Sequence, residues 1–206
     1  EDLHLNKNSI NNGDCLELMN GIPDKSIDMI LADLPYGTTA CSWDSVIDLD
    51  KLWAQYERII KDNGAIVLTA SQPFTTELIN SNKQLFRYEW IWDKKKPTGW
   101  LTAKKIPMKQ HENVLVFYKK QPTYNPLPYK KNTKGYLSNK KSETFIETLG
   151  HKKGRTSKNE NINGYPRSII KEIPVLNNLS KEKVGLHPTQ KPVALFEYLI
   201  KTYTDK

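Results

Sequence analysis

The sequence predicts an α/β fold, a sheet with helices on both faces, and three observations predict it. Apolar runs of strand length stand at 28–34, 65–70, 88–93 and 111–118. Stretches of helical period separate the first three runs. The first two runs are continuous rather than alternating, as in strands covered on both faces.

Taken in order, residues 1–13 are polar and Asn-rich, a short lead-in. Gly13-Asp14 before Cys15-Leu16-Glu17-Leu18-Met19 reads as a strand end running into a helix with Asp14 as its N-cap. The run from Asp28 then stops at Asp33-Leu34-Pro35-Tyr36-Gly37. A buried strand ending there delivers a carboxylate and an aromatic ring to the sheet edge where open parallel sheets bind ligands. The same residues also suit an ordinary turn, because Pro fixes φ and Gly permits positive φ. Residues 38–44 are small and polar, suited to a mobile segment, with Trp43 packing beneath it.

From Asp48, Leu49, Leu52, Trp53, Tyr56, Ile59 and Ile60 recur at helical spacing, and Asn63-Gly64 ends the pattern. After the strand at 65–70, Pro73 opens a helix reaching about Asn82, at a position where its missing N–H is harmless. Between the strands at 88–93 and 111–118 lies a loop with Lys94, Lys95, Lys96, Trp100, Lys104 and Lys105. Lysines clustered around an aromatic suit phosphate contact and stacking or wedging at DNA.

The character changes at about Lys119. From there to Lys183 stand 15 Lys and Arg against 5 Asp and Glu, so this segment carries more than the whole chain's net charge of +8. Its polar, Pro- and Gly-containing composition predicts a basic insertion at 121–184 that contacts nucleic acid or stays mobile as a basic arm. Arg155 and Arg167, its only arginines, are candidates to read guanine in a major groove. Regularity returns at His187-Pro188-Thr189-Gln190-Lys191-Pro192, before a helix with Val193, Phe196, Tyr198, Leu199, Ile200 and Tyr203. The predicted organisation is a core at 1–120, the insertion at 121–184, and a loop and helix returning to the core at 185–206.

Two cysteines, Cys15 and Cys41, form no disulfide framework and have no metal-ligand spacing, so no metal site is predicted. No run of 18 apolar residues or signal-like N-terminus is present. A soluble protein of the reducing cytoplasm with a polyanionic partner is expected, which the resemblance described next implies is double-stranded DNA; a homodimer is left open.

Two stretches carry a resemblance. Asp33-Leu34-Pro35-Tyr36 resembles the catalytic Asp-Pro-Pro-Tyr tetrad of the amino-group DNA methyltransferases, which methylate adenine N6 or cytosine N4, with Leu34 where that family usually has Pro. His187-Pro188-Thr189-Gln190-Lys191-Pro192 resembles the family element at the methionine end of S-adenosylmethionine. The resemblance implies a Rossmann-like methyltransferase sheet and catalytic roles for Asp33, Leu34, Pro35 and Tyr36. It implies cofactor contacts from Asp14, Cys15, Asp33, His187, Thr189, Gln190 and Lys191, and a target-recognition role for the insertion. The motif order is that of the β group, whose members continue into an Asp-Pro-Phe-x-Gly-x-Gly cofactor loop. That loop does not occur in the 206 residues, so the sheet is expected to be incomplete at its C-terminus. Asp33 favours an adenine enzyme of a restriction-modification or phage system, since cytosine-N4 enzymes more often carry Ser there. A cytosine-N4 enzyme is the nearest alternative, and a catalytically inactive DNA-binding fragment of the same fold another.

Overall fold

The run from Ala65 to Ala70 shows no alternation because both of its faces are covered. In the computed structural model, which describes residues 8–38, 44–127, 165–171, 173 and 190–205, these six residues are all buried. They form the inner part of a strand, β2 (Ile60–Ala70). Ile66, Leu68 and Ala70 pack in one apolar cluster with Leu52, Trp53, Tyr56, Phe74 and Leu78. Those partners come from α2 (Leu49–Ile59) and α3 (Phe74–Ser81). Ala65 and Val67 pack in a second cluster with Leu195, Leu199 and Tyr203, from α4 (Val193–Tyr203). Helices on both faces therefore follow from the strand's own composition.

Among the described residues the sheet has five strands in the order β1-β2-β4-β3-β5. The others are β1 (Ile27–Asp33), β3 (Phe86–Thr98), β4 (Lys109–Phe117) and β5 (Ile169–Ile170). β1 runs parallel to β2 and β5 parallel to β3, while β4 is antiparallel to both β2 and β3. This mixed topology brings the ends of β1, β2 and β3 and the start of β4 to one edge of the sheet.

Several boundaries differ from the expectation. The helix expected to reach Asn63 stops at Ile59, and Ile60 is already extended and paired with Ile27. A register shift follows, so Met29 pairs with Ala65. Gly64 permits the close approach, since a Cβ there would lie 2.8 Å from the Asp28 carbonyl oxygen. β3 runs five residues past its expected end, through Lys94, Lys95 and Lys96, and Lys95 takes φ +62° within an irregularity of the β3–β4 register. Among the described residues no strand precedes α1 (Cys15–Leu18), a single turn capped by Asp14, whose carboxylate accepts the Leu16 N–H at 2.7 Å.

The insertion expected at 121–184 falls mostly outside the described residues. The chain divides into residues 1–125 with 167–206 and a second unit of 126–166, which lies almost wholly outside the described residues. Asn125 donates to the carbonyls of Lys201 and Thr204, tying off the end of α4. Ile169 and Ile170 pair with Ile91 and Trp92, and the Trp92 indole donates to the Ile173 carbonyl at 2.6 Å. A two-residue strand has too little periodicity to be legible inside a polar segment. In the last helix, Leu195 is fully buried although the expected stripe omitted it, whereas Val193 and Ile200 are exposed. Tyr203 anchors that helix by accepting the Trp90 indole N–H at 2.7 Å, with the Tyr88 hydroxyl at 2.8 Å.

Asp93 braces the turn beyond the β3–β4 ladder. It accepts from the Gln110 side chain and the Lys95 N–H, both at 2.9 Å, and these hydrogen bonds hold its carboxyl down from 3.8 to about 2. A folded-state pKa below the unfolded value gives stability that is present above about pH 4 and lost as pH falls towards 2. Asp93→Asn should accordingly flatten the acid limb of a urea-midpoint profile between about pH 5 and pH 2. An unchanged limb would mean that the brace contributes nothing to stability.

Candidate active site

β1 and β2 end side by side, with Asp33 in register with Thr69, so a carboxylate and a hydroxyl arrive together at the edge. The Thr69 hydroxyl donates to Asp33 Oδ1. Beyond Asp33, Leu34 turns back into the core and is buried, anchoring the loop where the usual proline would stiffen it. Tyr36 then stacks on Phe74, with ring centroids 5.5 Å apart. Its hydroxyl lies 3.1 Å from Asp33 Oδ1 and 3.0 Å from Thr69 Oγ1. Burial, followed by the nearby Asp33 charge, pushes the phenol pKa well up, so Tyr36 acts here as a protonated donor.

The next two residues fix the loop's exit. The amides of Gly37 and Thr38 donate to the two oxygens of buried Asp44, each at 2.9 Å. Gly37 has φ +65°, and a Cβ there would meet the Val46 side chain at 2.7 Å, so glycine is required on both counts.

Lys191 reaches the same point from the far end of the chain. Its ammonium donates to both oxygens of Asp33, at 2.8 and 2.9 Å, and lies 5.5 Å from the Tyr36 ring centroid. It also stands 3.5 Å from Glu112 Oε2, while Glu112 Oε1 accepts from Lys94 at 3.0 Å. The Lys191, Glu112 and Lys94 side chains are only 11, 14 and 13% exposed, and Asp33 is 30% exposed. Two carboxylates and two ammoniums thus alternate in a largely desolvated row. Removing any one leaves the row with an unbalanced charge, which the remaining members must share.

The structure brings together Asp33, Leu34, Tyr36 and Lys191 from the expected set. Pro35 sits half-buried between the anchor and the ring, and Gln190 directly precedes Lys191. Asp14 serves as a helix cap and Cys15 is exposed beside it. His187, Thr189 and Arg155 lie outside the described residues, as do Trp43 and Cys41; Arg167 is exposed just before β5.

Of the expected DNA-contacting loop, Lys94 turns inward to Glu112 and Lys95 pairs with Asp93 at 3.2 Å. Lys96, Lys104, Lys105 and Trp100 are exposed, and Leu101, Ile106 and Met108 are exposed beside them. Sequence reasoning missed Thr69, Glu112, Asp44 and Phe74. Thr69 had one signal, a polar residue closing an apolar run; Glu112 had none, because its place at this edge depends on β4 running antiparallel. Among the described residues, no group of three His, Cys, Asp or Glu could hold a metal ion, and no helix is long and apolar enough to cross a membrane.

The family model described as DNA methylase, that of the N6/N4 methyltransferases, matches residues 27–206. The chain belongs to this family. Similar solved structures include M1.HpyAVI in complex with SAM, at 18% identity and a TM-score of 0.52, covering 95% of this chain and 76% of that one. The cytosine-N4-specific PvuII DNA methyltransferase is 15% identical with a TM-score of 0.54, covering 94% and 69%. A putative DNA modification methylase from Thermus thermophilus, complexed with S-adenosyl-L-methionine, is 20% identical with a TM-score of 0.51, covering 93% and 72%. At these identities the neighbours establish the fold, the Rossmann-like sheet of the methyltransferases.

Thr69→Val keeps the side-chain shape and removes the donor to Asp33. It should slow methyl transfer by about tenfold, or ~1.4 kcal/mol in the barrier, while unfolding free energy changes by about 1 kcal/mol. Single-turnover rates and urea denaturation check the two halves of this expectation.

Proposed function

We propose that the protein methylates adenine N6 in double-stranded DNA, with S-adenosylmethionine as donor. The observation that carries this reading is the Asp33 carboxylate at the end of β1, oriented by Thr69, Tyr36 and Lys191. An exocyclic amine is a weak nucleophile because its lone pair is delocalised into the ring. A carboxylate and a backbone carbonyl that accept its two hydrogens turn the lone pair out of that conjugation. Asp33 and the carbonyl of residue 34 or 35 supply these acceptors.

A base inside a duplex cannot reach this edge, so the target is extruded and held beside Tyr36, where stacking contributes about 1–3 kcal/mol. The donor supplies a methyl group on a positively charged sulfur, which needs no acid or metal to leave. Lys191 and the segment before it, with Gln190, Thr189 and His187, suit the donor's carboxylate, for which a largely buried ammonium is a fitting counter-charge. Asp14 and Cys15 belong to the adenosine side of the same reading.

The basic residues Lys96, Lys104 and Lys105 with Trp100, together with Lys95 and Arg167, are proposed to meet the duplex. Lys94 serves that surface by bracing it through Glu112. The segment containing Arg155 carries target recognition, as in a restriction-modification or phage enzyme acting in the cytoplasm.

Identifying the modified nucleoside after enzymatic digestion of methylated DNA tests the base assignment. N6-methyladenine is expected; N4-methylcytosine in its absence would establish the second reading, which the likeness to a cytosine-N4 enzyme keeps alive. Asp33→Ala should lower the methylation rate at least tenfold, or ~1.4 kcal/mol, with DNA affinity nearly unchanged. Replacing residues 128–164 by a short Gly/Ser linker, which keeps β5, should flatten the dependence of log affinity on log salt. The intact protein is expected to show a slope near −5 if about six phosphates are neutralised. A slope unchanged by the replacement would assign the duplex to the β3–β4 tip alone.

A further inference from the structure

On the reading of Asp33 as acceptor of the target amine, its carboxylate must release a partner before the amine can bind. Oδ1 receives Thr69, Tyr36 and one contact of Lys191, whereas among the described residues Oδ2 is held by Lys191 alone. Freeing Oδ2 therefore means moving the Lys191 ammonium, and a largely buried ammonium moves only towards another anion.

Glu112 presents one. Its Oε2 is the buried side-chain oxygen that, among the described residues, accepts no hydrogen bond, and Lys191 Nζ stands 3.5 Å from it. Lys94 pins the companion Oε1 at 3.0 Å, which keeps Oε2 aimed at Lys191. A shift of under about 1 Å brings the ammonium to the ~2.8 Å of a charge-assisted hydrogen bond. Buried oxygens without a partner are rare in folded proteins, and this one lies beside the group the reaction has to displace.

We propose that Glu112 is a positioning residue that receives Lys191 when the target amine occupies Asp33. The ammonium exchanges one carboxylate for the other, no proton changes owner, and the row stays electrically balanced in both states. With three N–H donors, Lys191 keeps one for the donor's carboxylate while resting on Glu112.

The first test needs neither donor nor DNA. A crystal structure of Asp33→Asn removes the charge at position 33, and Lys191 Nζ should then lie within about 3 Å of Glu112 Oε2. An ammonium that stays on the new amide oxygen at position 33 or turns to solvent overturns the exchange. The second test uses single-turnover methylation by the full enzyme at saturating S-adenosylmethionine. Glu112→Gln should slow transfer about tenfold while calorimetric affinity for S-adenosylmethionine stays within about threefold. The same change should have no further effect in a Lys191→Met enzyme, and Glu112→Asp should recover part of the rate. A Glu112→Gln rate within about threefold of wild type, or an equal loss in the Lys191→Met background, overturns the proposal. Should Asp33→Asn itself keep the wild-type rate, the reading of Asp33 fails, and the crystal structure still judges the exchange.

Discussion

The ion pair between Asp33 and Lys191 joins positions 158 residues apart, and most of the site depends on it. It closes the ends of β1 and α4 over the sheet edge and sets Lys191 above the Tyr36 ring. A pair this desolvated persists only where the surrounding charges balance. That balance comes from Glu112 on β4 and Lys94 on β3, so the antiparallel insertion of β4 between β2 and β3 is an electrostatic requirement of the site as well as a feature of topology.

The rigidity behind the pair comes from β2. Its inner residues are buried on both faces, by α2 and α3 on one and α4 on the other, so the edge where β1 and β2 end has little freedom to shift. The candidate site residues lie on or next to loops, as functional residues commonly do on a firm scaffold. Here the loop after β1 is held at three points: Leu34 in the core, Tyr36 on Phe74, and the Gly37 and Thr38 amides on Asp44. Beyond the same edge, the β3–β4 tip exposes Trp100 and Leu101 among lysines, a surface of opposite character to the closed row of charges behind it.

Much of this was legible in the chain. Continuous apolar runs located β1 and β2, and helical spacing located α2 and α4, because buried strands and amphipathic helices leave local signals; the residue types at 33–36 and Lys191 pointed to groups that the structure brings together. Boundaries were less legible. α2 passes into β2 without a loop, and β5 is two residues in a polar segment, its pairing set by Ile91 and Trp92 rather than by any pattern of its own.

The sequence by itself determined the kind of fold and singled out Asp33 as the carboxylate closing a buried strand, because each is written in neighbouring residues. Only the tertiary structure decided that Thr69 and Glu112 belong to the site, that Lys94 faces inward, and that Lys191 rests on Asp33. Each of those depends on strand direction and register. A carboxylate at the start of a strand stands beside one at the end of another only when an antiparallel pairing puts them there, and no local pattern encodes that pairing.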